Sequence, residues 1–211
     1  MSHFYDLTEE VQQNILFEGF KKIIKLDVFR LPVSNTFKNL SKLLTLGEID
    51  KAMKKLGYDK LFHLYLEAQL SDGNKYRIEK GVVIKLQFVI SNNERSFEHG
   101  DIKLLEKLSV DLLELTPLKK GSTPNSFDDL NLKTLFEKTD YKMGDKFIPY
   151  NIAGNNCQDF ISQMLDANGL LTKKLKKFIL QDSRAIFKEL GMLDNSVFID
   201  NVIHSLAKIK S

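Results

Sequence analysis

Residues 150–165 read YNIAGNNCQDFISQML, and this stretch determines how the rest of the chain is interpreted. After Asn156 the apolar side chains recur three and four positions apart, which predicts an amphipathic helix that ends at Gly169. Cys157, the only cysteine of the sequence, is expected at the first position of this helix, with Asn155 or Asn156 as its cap. Because a helix N-terminus stabilises a thiolate and offers N–H donors to an oxyanion, Cys157 is a candidate nucleophile. The alternative is a small, buried apolar side chain.

A nucleophilic thiol needs a base, and histidine has the pKa for that role. His63 lies in residues 61–70, where apolar and mixed positions alternate and predict a β-strand. The other three histidines lie at the chain start, in a polar loop and near the end of a terminal helix. His63 is therefore the candidate base, the alternative being an ordinary hydrogen-bonded histidine on a sheet.

The residues after this strand suggest a third member of the site. SDGN at 71–74 is typical turn chemistry, so the segment that follows is expected to return as the second strand of a hairpin. With an odd number of loop residues, Glu79 falls on the same face as His63, where a carboxylate would orient the imidazole. Alternatively, Glu79 belongs to a solvated hairpin face, and Asn156 or Asp159 supplies the polar group.

The pattern of the whole chain predicts an α+β fold, with an antiparallel β-meander packed against the cysteine-bearing helix and with added terminal helices. Residues 1–56 are expected to be a helical N-terminal extension, 57–170 the catalytic domain and 171–211 a helical C-terminal extension. Residues 82–90 are expected to form the third strand of the meander. Apart from the cysteine helix, helices are expected at 8–24, 37–44, 49–56, 102–115, 127–143, 170–179 and 197–206.

Composition limits the classes of partner. A formal charge of +3, with lysines spread over several segments, does not predict a nucleic-acid partner, whereas the basic amphipathic terminal helices leave contact with a membrane surface open. A single cysteine and the absence of metal-ligand spacing predict no metal, and no cofactor is expected. Without a signal-like leader or an apolar run of about 18 residues, the expected location is cytoplasmic.

The stretch around Cys157 resembles the Y-N-x-x-x-x-N-C-x-x-F signature of the permuted papain-like families, namely the lecithin:retinol acyltransferase-like, PPPDE-type and NlpC-like thiol enzymes. Residues 62–80, FHLYLEAQLSDGNKYRIEK, are similar to their strand, glycine turn and strand unit. The resemblance covers about residues 58–170 and implies a circularly permuted papain-like fold. It implies the catalytic residues Cys157, His63 and Glu79 in the family's chain order, with oxyanion or capping support from Asn155, Asn156 and Gln158.

The PVSN, LFHLYL and MGDKF segments also resemble proteins of virophages and polinton-like viruses. This second resemblance implies a viral protein located in the host-cell cytoplasm or the virion.

The sequence therefore predicts a cysteine hydrolase that acts on an acyl carbonyl, with a peptide or isopeptide as the favoured substrate. Phospholipase or acyltransferase chemistry on a lipid acyl substrate remains an alternative, although acyltransferase-like members often have histidine where this chain has Glu79 and Asp159. An adenovirus-type maturation protease shares the order of the three residues but has glycine at the position of Gln158. A non-enzymatic, particle-associated or binding protein on the same fold is the third alternative.

Overall fold

A five-stranded antiparallel sheet forms the centre of the fold. The computed structural model describes residues 2–32, 62–90, 106–110, 112, 130–151 and 155–180. The strands are β1 (Ile23–Pro32), β2 (Phe62–Leu70), β3 (Lys75–Lys80), β4 (Ile84–Phe88) and β5 (Glu106–Val110), in the spatial order β4-β3-β2-β1-β5. The helices are α1 (Glu9–Glu18), α2 (Leu132–Met143), α3 (Cys157–Ala167) and α4 (Lys173–Ile179), with 3₁₀ turns at Phe4–Asp6 and Gly144–Lys146. The coarse α+β prediction with an antiparallel meander is confirmed.

The hairpin between β2 and β3 has the predicted odd-numbered loop. Tyr65 pairs with Glu79 and Gln69 with Lys75, and the N–H of Leu70 donates to the carbonyl of Asn74 at 2.8 Å, which leaves three loop residues. Strands β3 and β4 continue the meander in antiparallel register. Because side chains alternate along each strand, odd-numbered residues of β2 and β3 share one face of the sheet.

Two helical predictions are wrong. Residues 23–32 form β1, which pairs with β2 on one side and β5 on the other, so this part of the expected N-terminal helical extension belongs to the sheet. Residues 106–110, expected within a helix, form β5. In both segments the spacing of the apolar residues is compatible with a helix and with a strand, and pairing with neighbouring strands makes each of them a strand. The helices expected at 37–44, 49–56 and 197–206 lie outside the described residues.

The apolar face of the sheet packs against the helices. Helix α3 contacts β2, β3, α2 and α4, while α1 contacts β4 and α2. The described residues form a core cluster that includes Leu26, Val28, Leu64, Leu66, Ile78, Leu86, Phe136, Phe160, Ile161, Met164 and Leu165. The ends of two predicted helices are confirmed, since α2 ends before Gly144, with φ of 52°, and α3 ends before Gly169, with φ of 71°. Helix α2 begins at Leu132 and not at 127, because Asn131 forms an isolated bridge with Lys22 and caps the helix.

The start of the chain is attached to α2 through a buried carboxylate. Asp140 is 1% exposed, and its Oδ1 lies 2.5 Å from Nδ1 of His3, whose backbone N–H donates to Oδ2 at 3.1 Å. Although burial opposes ionisation, the contact with His3 lowers the pKa of Asp140, and Asp140 raises the pKa of His3. The two residues therefore form a charged pair that anchors the N-terminal segment.

Among residues 2–32, 62–90, 106–110, 112, 130–151 and 155–180, no helix is long and apolar enough to cross a membrane.

Candidate active site

Cys157 is the first residue of α3, as predicted, and Asn156 caps this helix. The Asn156 side chain accepts hydrogen bonds from the N–H groups of Gln158 at 2.8 Å and Asp159 at 3.3 Å. The Asp159 carboxylate in turn accepts from the N–H of Asn156 at 3.1 Å, which completes a capping box. The prediction that an asparagine caps the helix is confirmed for Asn156. This cap fixes the backbone on both sides of the thiol.

The hydrogen-bonded pairing of β2 with β3 stops before Leu64, which leaves the backbone of β2 accessible to Cys157 at that point. The ladder runs from the pair of Gln69 and Lys75 to that of Tyr65 and Glu79 and does not extend to Leu64. The backbone N–H of Leu64 instead hydrogen-bonds the Cys157 sulfur. The N-terminus of α3 thus meets the edge of β2 directly beside His63.

The thiol of Cys157 is buried and surrounded by hydrogen-bond donors. Its residue is 6% exposed, and the sulfur interacts with the His63 ring and with the N–H groups of Leu64 and Gln158. Burial raises the pKa of a thiol, but the His63 charge and these hydrogen bonds outweigh it and lower the pKa of Cys157. The surroundings therefore favour the thiolate.

His63 links the thiol to a carboxylate. Its Nε2 lies 3.1 Å from Oε2 of Glu79, and the two side chains are 35% and 16% exposed, respectively. Since Nε2 faces Glu79, we assign Nδ1 as the nitrogen that serves the thiol. Burial opposes protonation of the ring, but the neighbouring Cys157 thiolate and Glu79 carboxylate together raise the pKa of His63. The favoured state is a thiolate beside an imidazolium.

Glu79 is held as a carboxylate. Its Oε1 lies 3.6 Å from Nζ of Lys85 on β4. Burial works against ionisation, but His63, Lys85 and Arg77 lower the pKa of Glu79 to about 2. The structure therefore brings together the three residues predicted from sequence, since the His63 ring interacts with both the Cys157 sulfur and the Glu79 carboxylate.

The three supporting residues occupy different positions. Asn155 does not cap α3; its Nδ2 donates to the carbonyls of Lys146 at 2.7 Å and Pro149 at 2.6 Å. Gln158 is buried, and its backbone N–H points to the Asn156 side chain and the Cys157 sulfur. A role for either Asn155 or Gln158 in binding an oxyanion remains a prediction.

Two residues near the site were not singled out from the sequence. Tyr150 is half-buried, and its burial, together with the charges of Cys157 and Asp159, raises its pKa, so the phenol stays protonated. Lys80 is fully buried, whereas the alternative interpretation of this strand as a solvated hairpin face would leave it exposed. The alternation of side chains along β3 could have predicted this burial, since Lys80 lies on the same face of the strand as Tyr76 and Ile78 of the core.

Across the described part of the chain, no three His, Cys, Asp or Glu side chains come together as a metal-binding group. Comparison with protein-family models gives no match, and comparisons with curated proteins and with solved structures give none either. The geometry of Cys157, His63 and Glu79 is therefore the basis for a functional proposal.

Proposed function

We propose that the protein is a cysteine hydrolase that cleaves an acyl compound, most favourably a peptide or isopeptide, on a permuted papain-like frame. The observation that carries the proposal is the contact of the Cys157 sulfur with His63 at a helix N-terminus, with the Glu79 carboxylate 3.1 Å from Nε2 of the same ring. This arrangement meets the requirements of an activated thiol, since a base contacts the nucleophile and a third group orients the base.

In the acylation step, the Cys157 thiolate attacks the carbonyl carbon and forms a C–S bond, while the carbonyl oxygen takes the negative charge. The positive end of the α3 dipole stabilises that oxyanion. The N–H groups of Gln158 and Asp159 already donate to Asn156. The His63 imidazolium gives its proton to the leaving amine or alkoxide as the acyl bond breaks. A thioester on Cys157 and a neutral imidazole remain.

In the deacylation step, neutral His63 takes a proton from water, and the hydroxide attacks the thioester carbonyl. The C–S bond breaks, the acid product leaves and the thiolate–imidazolium pair is restored. Glu79 stays ionised throughout, because its role is to hold the tautomer and stabilise the imidazolium. A viral origin, if correct, would place this reaction in the host-cell cytoplasm or the virion.

Selective alkylation tests the proposal without a known substrate. At pH 6 a thiol with a pKa of about 8.5 is only about 0.3% thiolate, so full ionisation raises its reactivity about 300-fold. A less basic thiolate is also a weaker nucleophile, with a Brønsted slope of about 0.4–0.5, which offsets part of this gain. We expect iodoacetamide to label Cys157 about tenfold faster in the folded chain than in the urea-unfolded chain.

The sequence has no second cysteine, so intact mass measures labelling of Cys157 alone. Cys157→Ala should abolish labelling, and His63→Ala should reduce the rate to that of the unfolded chain. Labelling no faster in the folded chain would refute the hydrolase proposal and support the non-enzymatic alternative.

Substrate class is tested separately from thiol activation. The wild-type chain is incubated with a peptide and isopeptide library and with phospholipid vesicles, and Cys157→Ala serves as the control in both. Peptide cleavage that depends on Cys157 supports the peptidase assignment. Release of fatty acid without peptide cleavage would overturn that assignment in favour of lipid acyl hydrolysis or transfer.

A further inference from the structure

Lys80 is a fully buried lysine whose ammonium has three oxygen partners. Its exposed fraction is 0%, and lysine is almost never fully buried unless it is paired. Nζ donates to the carbonyls of Lys146 at 2.9 Å and Phe147 at 2.8 Å, and to Oδ1 of Asn155 at 3.4 Å. These three acceptors match the three protons of an ammonium group.

Burial of this charge is costly, and the cost is visible in its ionisation. Burial lowers the pKa of Lys80 to about 8, with the charge of Asp159 opposing the change. An apolar side chain of similar length would avoid that cost but would take one donor away from each of the three oxygens. Lysine at this position therefore differs from an apolar residue because its single ammonium group donates to all three oxygens and holds them together.

All three oxygens belong to the chain segment that leads into α3. Asn155 returns a hydrogen bond to the carbonyl of Lys146 at 2.7 Å, so Lys80 and Asn155 share one acceptor and form a closed ring of contacts. The backbones of Asn155 and Asn151 also pair, with N–H to carbonyl distances of 2.8 and 3.1 Å. Asn155 lies two residues before Cys157, so this ring fixes the approach to the nucleophile.

We propose that Lys80 is a positioning residue for Cys157, acting through the Asn155 segment, so that two consecutive residues of β3 set the two halves of the catalytic pair. Glu79 faces one side of the sheet and holds His63, while Lys80 faces the other and holds the segment that carries the thiol. This inference rests on the proposed function, because positioning has a chemical consequence only if the thiol and imidazole react together.

The test is the rate of Cys157 alkylation by iodoacetamide across pH 5–9 in the full chain. Lys80→Met removes the ammonium but keeps a side chain of similar length, and we expect labelling at pH 6 to fall about fivefold or more, towards the unfolded-chain rate. Lys75→Met is the matched control, because Lys75 lies on the same strand but faces away from the core and is 44% exposed. It should label at the wild-type rate.

A double variant separates positioning from general destabilisation. Asn155→Ala should slow labelling in the same way, and the double variant with Lys80→Met should be no slower than either single variant, since both changes break one network. Leu86→Ala removes core packing away from the site, and its loss of Tm provides the comparison for stability alone. If Leu86→Ala slows labelling as much as Lys80→Met does for an equal loss of Tm, the positioning role is overturned.

Wild-type labelling in the Lys80→Met or the Asn155→Ala chain would also overturn it, and the second variant decides if the first does not fold. The wild-type chain shows whether the proposed function itself has failed. If iodoacetamide labels Cys157 no faster in the folded wild-type chain than in the unfolded chain, both the hydrolase proposal and the positioning role of Lys80 are refuted.

Discussion

Replacing Glu79 with glutamine removes the negative charge beside His63 and keeps a side chain of the same size at position 79. The Glu79 carboxylate lies 3.1 Å from Nε2 of His63, and glutamine can still offer an oxygen to the same nitrogen. Lys85 loses its partner at 3.6 Å at the same time. The change therefore reports chiefly the charge on Glu79.

The expected change in the pKa of His63 follows from its distance to Glu79 and from the exposure of the two side chains. Unit charges about 4 Å apart interact by about 4 kcal/mol at an effective dielectric constant of about 20. Because the His63 side chain is 35% exposed, solvent screening reduces this to about 1–3 kcal/mol. One pKa unit corresponds to about 1.4 kcal/mol, so Glu79→Gln should lower the pKa of His63 by about 1–2 units.

The assay is an NMR titration of the His63 ring in the wild type, in Glu79→Gln and in a control. Glu67→Gln is the control, because Glu67 lies on the same face of β2 and pairs with Lys75 at 3.3 Å instead of with His63. We expect its His63 titration to match the wild type. An unchanged His63 pKa in Glu79→Gln, or a wild-type value near 6.5, would refute the electrostatic reasoning.

The pH dependence of the unfolding free energy is an independent check on the directions of the pKa shifts of His63 and Glu79. The raised pKa of His63 contributes stability that is fully present below its unfolded value near 6.5 and is lost as pH rises through the folded pKa. The lowered pKa of Glu79 contributes stability present above its unfolded value near 4.5 and lost as pH falls through about 2. The difference in unfolding free energy between the wild type and Glu79→Gln should therefore be largest between these unfolded values and shrink towards both extremes.

Two further changes test the supporting structure. Asn156→Ala should cost about 1–2 kcal/mol of unfolding free energy in urea denaturation, because the cap that bonds two N–H groups of α3 is lost; an unchanged midpoint would contradict the cap's contribution. His3→Ala should cost about 1–3 kcal/mol, because the buried Asp140 carboxylate loses the imidazole and keeps only the Ser2 hydroxyl and the backbone N–H of residue 3. The contribution of the pair should be full between the unfolded values near 3.8 for Asp140 and 6.5 for His3. It should be lost as pH rises through the raised pKa of His3 or falls through the lowered pKa of Asp140, and a pH-independent loss would contradict the ion pair.

The local features of the site were predictable because each depends on neighbouring residues. The start of α3 follows from an asparagine before an apolar helical pattern, and the hairpin follows from SDGN between alternating segments. The pairing of His63 with Glu79 then follows from strand parity, once the loop has an odd number of residues.

The missed features depend on partners distant in sequence. Strand β1 begins five residues after α1 ends, and the apolar spacing through Ile23 and Ile24 continues the helical period. Only its pairing with β2 and β5 makes residues 23–32 a strand. Lys80 was missed because a charged residue is normally solvated, and its acceptors, near Lys146 and Asn155, lie more than 60 positions away.

The hairpin that joins β2 and β3 determines which charge stands beside the imidazole. Its three loop residues, 71–73, are exposed to solvent and have no contact with the thiol in the arrangement described. One residue more or fewer in the loop would turn every side chain of β3 to the opposite face. Lys80 would then lie beside His63, and Glu79 would face the carbonyl oxygens of the segment before α3. An ammonium would then repel the imidazolium of His63, and a carboxylate would repel the carbonyl oxygens. The length of a surface turn therefore sets the sign of the electrostatic field in which the imidazole is protonated.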